Sequence, residues 1–241
     1  MLAESLVYAR SWWRTPREFR PYLVDAIGLW ARGQRQLRAW TPHLTKTLRV
    51  LDSTIDDIAS RRTVAVLGAG PLFDVPIESL ARTFQRVLLV DLAHLSTTDV
   101  RTGRYRNIDR MWRDLSPVDN PEPLAFLAGV PQLDWVISVN LLSQIGRAAP
   151  EGTERETIRR HLAALSALKM PVTLVTDVDY RVFDREGKLL EDVDMMHGHV
   201  LPPPENRWLW EVAPLGEEAP DTRRVHTVHA YPDWHAVTRT R

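Results

Sequence analysis

Residues 63–91, TVAVLGAGPLFDVPIESLARTFQRVLLVD, decide the fold, because they read as strand, glycine turn, helix and second strand in close succession. Thr63 to Leu67 is an apolar run without polar alternation, the pattern of a parallel strand covered on both faces by helices. Gly68-Ala69-Gly70 breaks it. Glycine there lets the backbone turn tightly and approach a ligand closely, since no Cβ blocks positive φ values or the ligand atoms. Ile77, Leu80, Ala81 and Phe84 recur at helical spacing, with Asp74 the expected N-cap and Pro76 in the first turn. Val87 to Val90 is the second strand and ends in Asp91, about twenty residues past the glycines, where a βαβ nucleotide site holds an acid for ribose hydroxyls. A strict dinucleotide fingerprint would add a third glycine at position 73, where this chain has Phe73. A βαβ unit that merely packs is the alternative reading, and Asp91 at the carboxyl end of its strand weighs against it.

The 241 residues suffice for one α/β domain with additions, and 31 basic against 31 acidic side chains give no net charge to draw the whole protein to nucleic acid or a membrane. With no cysteine, disulfides, thiolate catalysis and cysteine-ligated metal centres are excluded, and a reducing, cytoplasmic setting fits. No segment approaches the roughly twenty apolar residues of a membrane span. Glu4 and Arg10 flank only a short apolar stretch, unlike a signal peptide.

Upstream, residues 1–60 read as a helical lid or cap, with residues 61–241 forming the nucleotide-binding domain. Leu2, Leu6, Ala9 and Trp13 make one stripe, and Thr15-Pro16-Arg17-Glu18 matches a capping box that starts a new helix, which Pro21 kinks or restarts. Leu23, Ile27 and Trp30 continue it to Gly33. Thr41-Pro42 is expected to open a further helix carrying Leu44, Leu48, Leu51, Ile55 and Ile58. Eight arginines and Trp12, Trp13, Trp30 and Trp40 fall in this region; packing tryptophans beside a solvated arginine face is preferred to a nucleic-acid surface. These helices are also the expected face of a homodimer.

Downstream, a helix is expected near 93–101, a third strand within 105–112 followed by Asp114, a short helix over 121–127, and an apolar strand Leu133 to Val139 ending in Asn140. A helix over 154–169 stops at Pro171, and PVTLVT is the next strand, ending in Asp177 and Asp179. Residues 180–192 alternate about an Arg-Glu-Gly turn and read as an inserted hairpin. His197 and His199 follow in a proline-rich loop. Arg207 to Val212 and Arg224 to Tyr231 are the last two strands; with no helix between them they pair antiparallel or leave the sheet. His226 and His229 are not a zinc pair, because residues three apart on a strand face opposite ways.

The order of these pieces resembles the Rossmann-like class I S-adenosylmethionine-dependent methyltransferases, over roughly residues 50–235. VLGAGPLFDVP is similar to the family's first motif, VLLVDL carries the ribose acid as Asp91, RDLS offers Asp114 near the adenine, and LDWVISVNLLSQI is similar to the fourth motif. Leu72 stands where the family often has a third glycine, and Val66 and Leu67 where an acid often precedes the glycines. The resemblance implies a three-layer, mostly parallel seven-stranded sheet closed by an antiparallel strand. It implies S-adenosylmethionine as cofactor, held by Gly68, Ala69, Gly70, Asp91, Leu92, Asp114 and Asn140, and methyl transfer to an oxygen or nitrogen of a small molecule. An adenosyl-ligand binder without turnover and a nicotinamide-dependent oxidoreductase are the alternatives. Where the acceptor loses a proton, His197 and His199 are the candidate bases, with ordinary loop histidines as the plain reading and Asp177, Asp179 or Tyr180 next in line. No metal site is expected.

Overall fold

The apolar run Thr63–Leu67 becomes β1, buried at every position and central to the sheet. A computed structural model describes residues 2–239. β2 (Arg86–Asp91) lies parallel on one side of β1, with β3 (Ile108–Trp112) parallel beyond it. β4 (Leu133–Val139) lies parallel on the other side, followed by β5 (Val172–Asp184). β6 (Leu189–Asp194), β7 (Asn206–Ala213) and β8 (Thr222–Tyr231) complete the set. The order is β3-β2-β1-β4-β5-β8-β7, with β6 paired to β5 off that path. β8 runs antiparallel to both β5 and β7. Seven strands thus form the expected path, and β6 is an eighth.

The inserted hairpin takes an unexpected form. β5 is one 13-residue strand that pairs with β8 from Leu174 to Asp184; its first part also pairs with β4, and its second part runs past the end of β4 and pairs with β6 on that side. A register shift between Asp177 and Asp179 marks the change, and the turn to β6 lies at the expected Arg-Glu-Gly. β5, β8 and β7 therefore build an antiparallel platform beyond the carboxyl edge of the parallel strands.

Three helical layers flank the sheet. α1 (Leu2–Trp12) and α2 (Leu23–Arg35) come first, joined through a 3-10 turn at Arg17–Tyr22, and α3 (Leu37–Asp57) follows. α4 (Ile77–Thr83) joins β1 to β2. α5 (Asp99–Thr102) is a single turn after β2, where a longer helix was expected. α6 (Leu142–Ala148) and α7 (Glu154–Ser166) link β4 to β5, and α8 (Trp234–Arg239) ends the described chain. α3 and α4 cover one face, through Trp40, Leu44, Leu51, Ile55, Ile77 and Leu80. α6, α7 and α8 cover the other, through Leu142, Ile158, Leu162, Leu165 and Trp234. α1 and α2 instead meet the carboxyl edge, where Val7, Leu23 and Ile27 pack on Ala93 and Leu95 just beyond β2. At roughly 1.5–3 kcal/mol per large apolar side chain buried, the α3 stripe binds that helix into the sheet's own core.

Several local expectations give way to tertiary packing. The α1 stripe faces outward: Leu2, Leu6 and Trp13 are 91%, 52% and 83% exposed, while Val7 and Ser11 are buried. Thr15 makes no capping box, since its hydroxyl donates to the Ser11 carbonyl at the end of the preceding helix. α3 starts at Leu37 and passes through Pro42, which removes one hydrogen-bond donor without ending the helix. The segment near Pro121 is a 3-10 turn at Ala125–Gly129. Among the described residues no helix is long and apolar enough to cross a membrane.

Candidate active site

The parallel strands leave their carboxyl ends at one edge, and between neighbouring β1 and β4 the chain switches the side of the sheet on which it adds strands, the place where open α/β sheets bind ligands. The glycine turn lies there. Gly68 has φ +77, and a Cβ on it would come within 2.9 Å of the Val139 carbonyl, so only glycine fits between β1 and the end of β4. Gly70 has φ +49, and a Cβ there would meet nothing nearer than the Gly68 carbonyl at 3.9 Å, leaving open space beside the backbone. Buried Leu72 adopts φ +64, the left-handed path of the missing glycine. That conformation costs about 1–2 kcal/mol, and burial of the leucine in the core offsets it. Arg101 braces the turn from outside, donating to the Leu72 carbonyl and pairing with Glu78 at 2.8 Å.

Asp91 meets this turn directly. Its carboxylate accepts the Gly70 N–H at 2.8 Å on one oxygen and the Ala93 N–H at 3.1 Å on the other. Each oxygen keeps acceptor capacity for a further donor. Leu92 follows, half-buried. Beyond β3 lies a cleft of about 340 Å³ lined by Phe19, Trp112, Arg113, Asp114, Ser116, Asp119 and Asn120. Asp114 is exposed there, with one oxygen accepting the Ser116 N–H. Trp112 stands in register with Asp91, so cleft and ribose acid are neighbours.

Asn140 ends β4 with φ +48 and donates its amide to Asp74. Its side-chain oxygen is buried without a partner. Asp74 therefore does not cap α4, as its position had suggested; burial pushes its carboxyl up from the ordinary value, only partly countered by the Asn140 amide. The N-terminal layer closes on the same loop. Gly33 of α2 touches Phe73 so closely that a Cβ would fall 2.4 Å from its ring.

The histidines divide sharply. His197 is exposed on a turn at φ +49, its ring beside Gly146 of α6, while His199 is half-buried with its N–H on the Met196 carbonyl. His229 hydrogen-bonds the Tyr231 hydroxyl, which donates in turn to the Pro202 carbonyl. His226 is buried against Asp177, Nδ1 to Oδ2 at 2.7 Å, and the other oxygen of Asp177 accepts the Ser143 hydroxyl. Burial alone would raise the Asp177 carboxyl, but the His226 hydrogen bond and charge, the Ser143 hydroxyl and a backbone hydrogen bond together hold it below the usual carboxylate range. His226 was weighed in the sequence only as half of a zinc pair with His229, and Ser143, expected with Asn140 at the carboxyl edge, was given no chemical role. Asp177 was visible as a strand-end acid, but its partner depends on the β5–β8 register, which no local pattern supplies.

No family model matches this sequence, and no curated protein matches it. Among solved structures, the chain is similar to the N-methyltransferase NodS from Bradyrhizobium japonicum WM9 in complex with S-adenosylhomocysteine, with 14% identity over 80% of this chain and 87% of that one, and a TM-score of 0.41. It is also similar to DhpI in complex with S-adenosylhomocysteine, at 16% identity over 86% and 95% of the two chains with a TM-score of 0.42. A third is the 1,6-didemethyltoxoflavin-N1-methyltransferase of Burkholderia thailandensis, at 13% identity over 83% and 86% with a TM-score of 0.39. At this distance residue roles rest on the chain's own geometry. Its strand order, with antiparallel β8 set between β5 and β7 and a glycine turn bound to the acid ending β2, is the Rossmann-like, mostly parallel arrangement with an antiparallel closing strand that the sequence resemblance implies.

Proposed function

We propose that this protein is an S-adenosylmethionine-dependent methyltransferase acting on an oxygen or nitrogen of a small-molecule acceptor. The observation that carries the reading is the open glycine turn hydrogen-bonded to Asp91 at the switch point of the sheet. S-adenosylmethionine supplies an electrophilic methyl group on a sulfonium sulfur. The residues present fit it. The space beside Gly68, Ala69 and Gly70 takes the adenosyl moiety, Asp91 accepts from both ribose hydroxyls, and Leu92, Asp114 and the cleft at Trp112 border the adenine. Asp74 and Asn140 supply what the sequence lacks before the glycines, namely an acid for the amino group at the methionine end. An ammonium there would give the half-buried carboxylate its counter-charge and the unpartnered Asn140 oxygen its donor. α1 and α2 lie across the carboxyl edge and exclude water from the reacting groups. Orienting two reactants in this way contributes on the order of 7–11 kcal/mol in the best cases.

Calorimetric titration with S-adenosylhomocysteine tests the cofactor assignment. Asp91→Ala removes a charged acceptor worth roughly 1.5–3 kcal/mol, so the affinity should drop at least tenfold. Equal binding by the variant would take Asp91 out of the site.

A further inference from the structure

The outer face of the N-terminal layer is apolar where a solvent-facing helix is ordinarily polar. Leu2, Leu6, Ala9 and Trp13 recur at steps of four, three and four, so they share one side of α1 and the residue just beyond it, and all four are exposed. The opposite side of the helix does the packing, through Val7 onto Ala93 and Leu95 and through the Ser11 hydroxyl, which accepts the Ser96 N–H at 2.9 Å. Beside the stripe, α1, the 3-10 turn Arg17–Tyr22 and the start of α2 enclose a cleft of about 630 Å³ lined by Tyr8, Trp12, Arg17, Arg20, Pro21 and Val24. Its charged linings are two arginines and no acid. Arg20 stands over the Trp12 ring at 4.5 Å and gives its Nε–H to the Thr15 carbonyl, which leaves its terminal N–H groups to point elsewhere. Among the described residues neither Arg17 nor Arg20 has an acidic partner. The acids of this segment are placed differently. Glu4 lies 4.0 Å from Arg35, and Glu18 and Asp25 are exposed without lining the cleft.

We propose that this face is a docking surface for an anionic phospholipid bilayer, with lipid phosphates held in the cleft by Arg17 and Arg20 and with Leu2, Leu6 and Trp13 set among the upper acyl chains. The proposal stands independently of the methyl-transfer reading. An apolar stripe alone would suit another helix as well; the cleft joined to it decides the occupant. Guanidinium groups bind phosphate oxygens in pairs. Tryptophan and tyrosine rings collect at the headgroup level of a bilayer, because each has an apolar body and a polar tip. Arginines and aromatic rings beside an apolar stripe therefore match the order of a phospholipid, charged head first and hydrocarbon next. Exposed Arg10 adds a cation next to the stripe. The balanced charge of the whole chain does not oppose docking, since the attraction of an anionic leaflet falls off within a Debye length and acts on the groups that face it. Such a helix lies in the plane of the interface and needs no membrane-spanning length. The 3-10 turn serves both sides of the layer, with Arg17 and Arg20 in the outer cleft and Phe19 in the cleft at Trp112 and Asp114. Docking thus turns the layer over the carboxyl edge of the sheet toward the lipid.

The test is co-sedimentation of the full chain with vesicles of phosphatidylcholine alone and of phosphatidylcholine mixed with phosphatidylglycerol, at low and high salt, with sedimentation velocity of the lipid-free protein alongside. Binding is expected to the mixed vesicles, weaker at high salt, and roughly tenfold or more weaker to phosphatidylcholine alone. Leu6→Ser combined with Trp13→Ser should lower partitioning about tenfold or more, and Arg10→Gln and Arg17→Gln about fivefold each. The urea midpoint of these variants should match the wild type, because all four side chains are exposed. Tryptophan fluorescence should be quenched by lipids brominated in the upper acyl chain, and less so in Trp13→Phe. No binding to either vesicle, equal binding to both, or full binding by the Leu6→Ser, Trp13→Ser variant overturns the proposal. A dimer in solution that the same double variant splits, without vesicle binding by the wild type, overturns it too and gives the face to a second copy of this chain.

Discussion

The carboxyl edge of the sheet has two halves built by different means. In the glycine-turn half, the Gly70 N–H and its acceptor Asp91 are 21 residues apart, inside one strand–helix–strand unit. In the platform half, Asp177 finds Ser143 at a separation of 34 residues and His226 at 49, while His43 meets Trp208 across 165. The first half is backbone turned toward open space, with a carboxylate that keeps spare acceptor capacity. The second is a packed network in which Ser143, His226 and Trp208 each donate to a buried side-chain acceptor from another element. Substitutions should therefore cost ligand binding in the first half and folding stability in the second.

The largest effect expected is on the platform side. Asp177→Ala leaves the His226 and Ser143 donors buried without their acceptor, a loss of roughly 3 kcal/mol, read as a lower urea midpoint. A variant as stable as the wild type would erase the contrast between the halves. Next comes acid sensitivity. His43 has a folded pKa near 3 against an ordinary 6.5, so the unfolded chain takes up its proton first as pH falls. Stability from this ring is complete above pH 6.5 and is lost toward pH 3, by about 2 kcal/mol at pH 5. His43→Gln should flatten that part of the stability–pH curve; an unchanged curve would show that His43 titrates normally. The smallest effect belongs to the glycine-turn side. Asp74→Asn should weaken S-adenosylhomocysteine about tenfold, equal to about 1.4 kcal/mol, while leaving affinity for 5′-methylthioadenosine, which lacks the amino-acid end, unaltered. Equal losses for both ligands would place Asp74 away from the methionine end.

The same division governs what the amino-acid sequence made legible. The β1 run, the glycine turn and Asp91 were readable because a buried parallel strand, a positive-φ turn and a strand-end acid are each local in origin. The final antiparallel pair was readable because two strands with no helix between them pair antiparallel if they stay in one sheet. Where packing across the chain decides, local pattern misleads. The α1 stripe has helical spacing, yet Val7 rather than Leu6 meets the loop after β2. Pro42 looks like a helix start, yet the core contacts of Trp40 carry α3 through it. Asp74 looks like a helix cap, yet Asn140, 66 residues away, takes its carboxylate. His226 was considered only beside His229, because spacing along one strand is visible and the register of β8 on β5 is not.

The most direct measurement is a crystal structure of the protein with S-adenosylhomocysteine. The account predicts the ribose hydroxyls within hydrogen-bond distance of both Asp91 oxygens, the adenosyl group against Gly68 to Gly70 and the amino group beside Asp74 and Asn140. A ligand bound elsewhere, or a ribose turned away from Asp91, would contradict it.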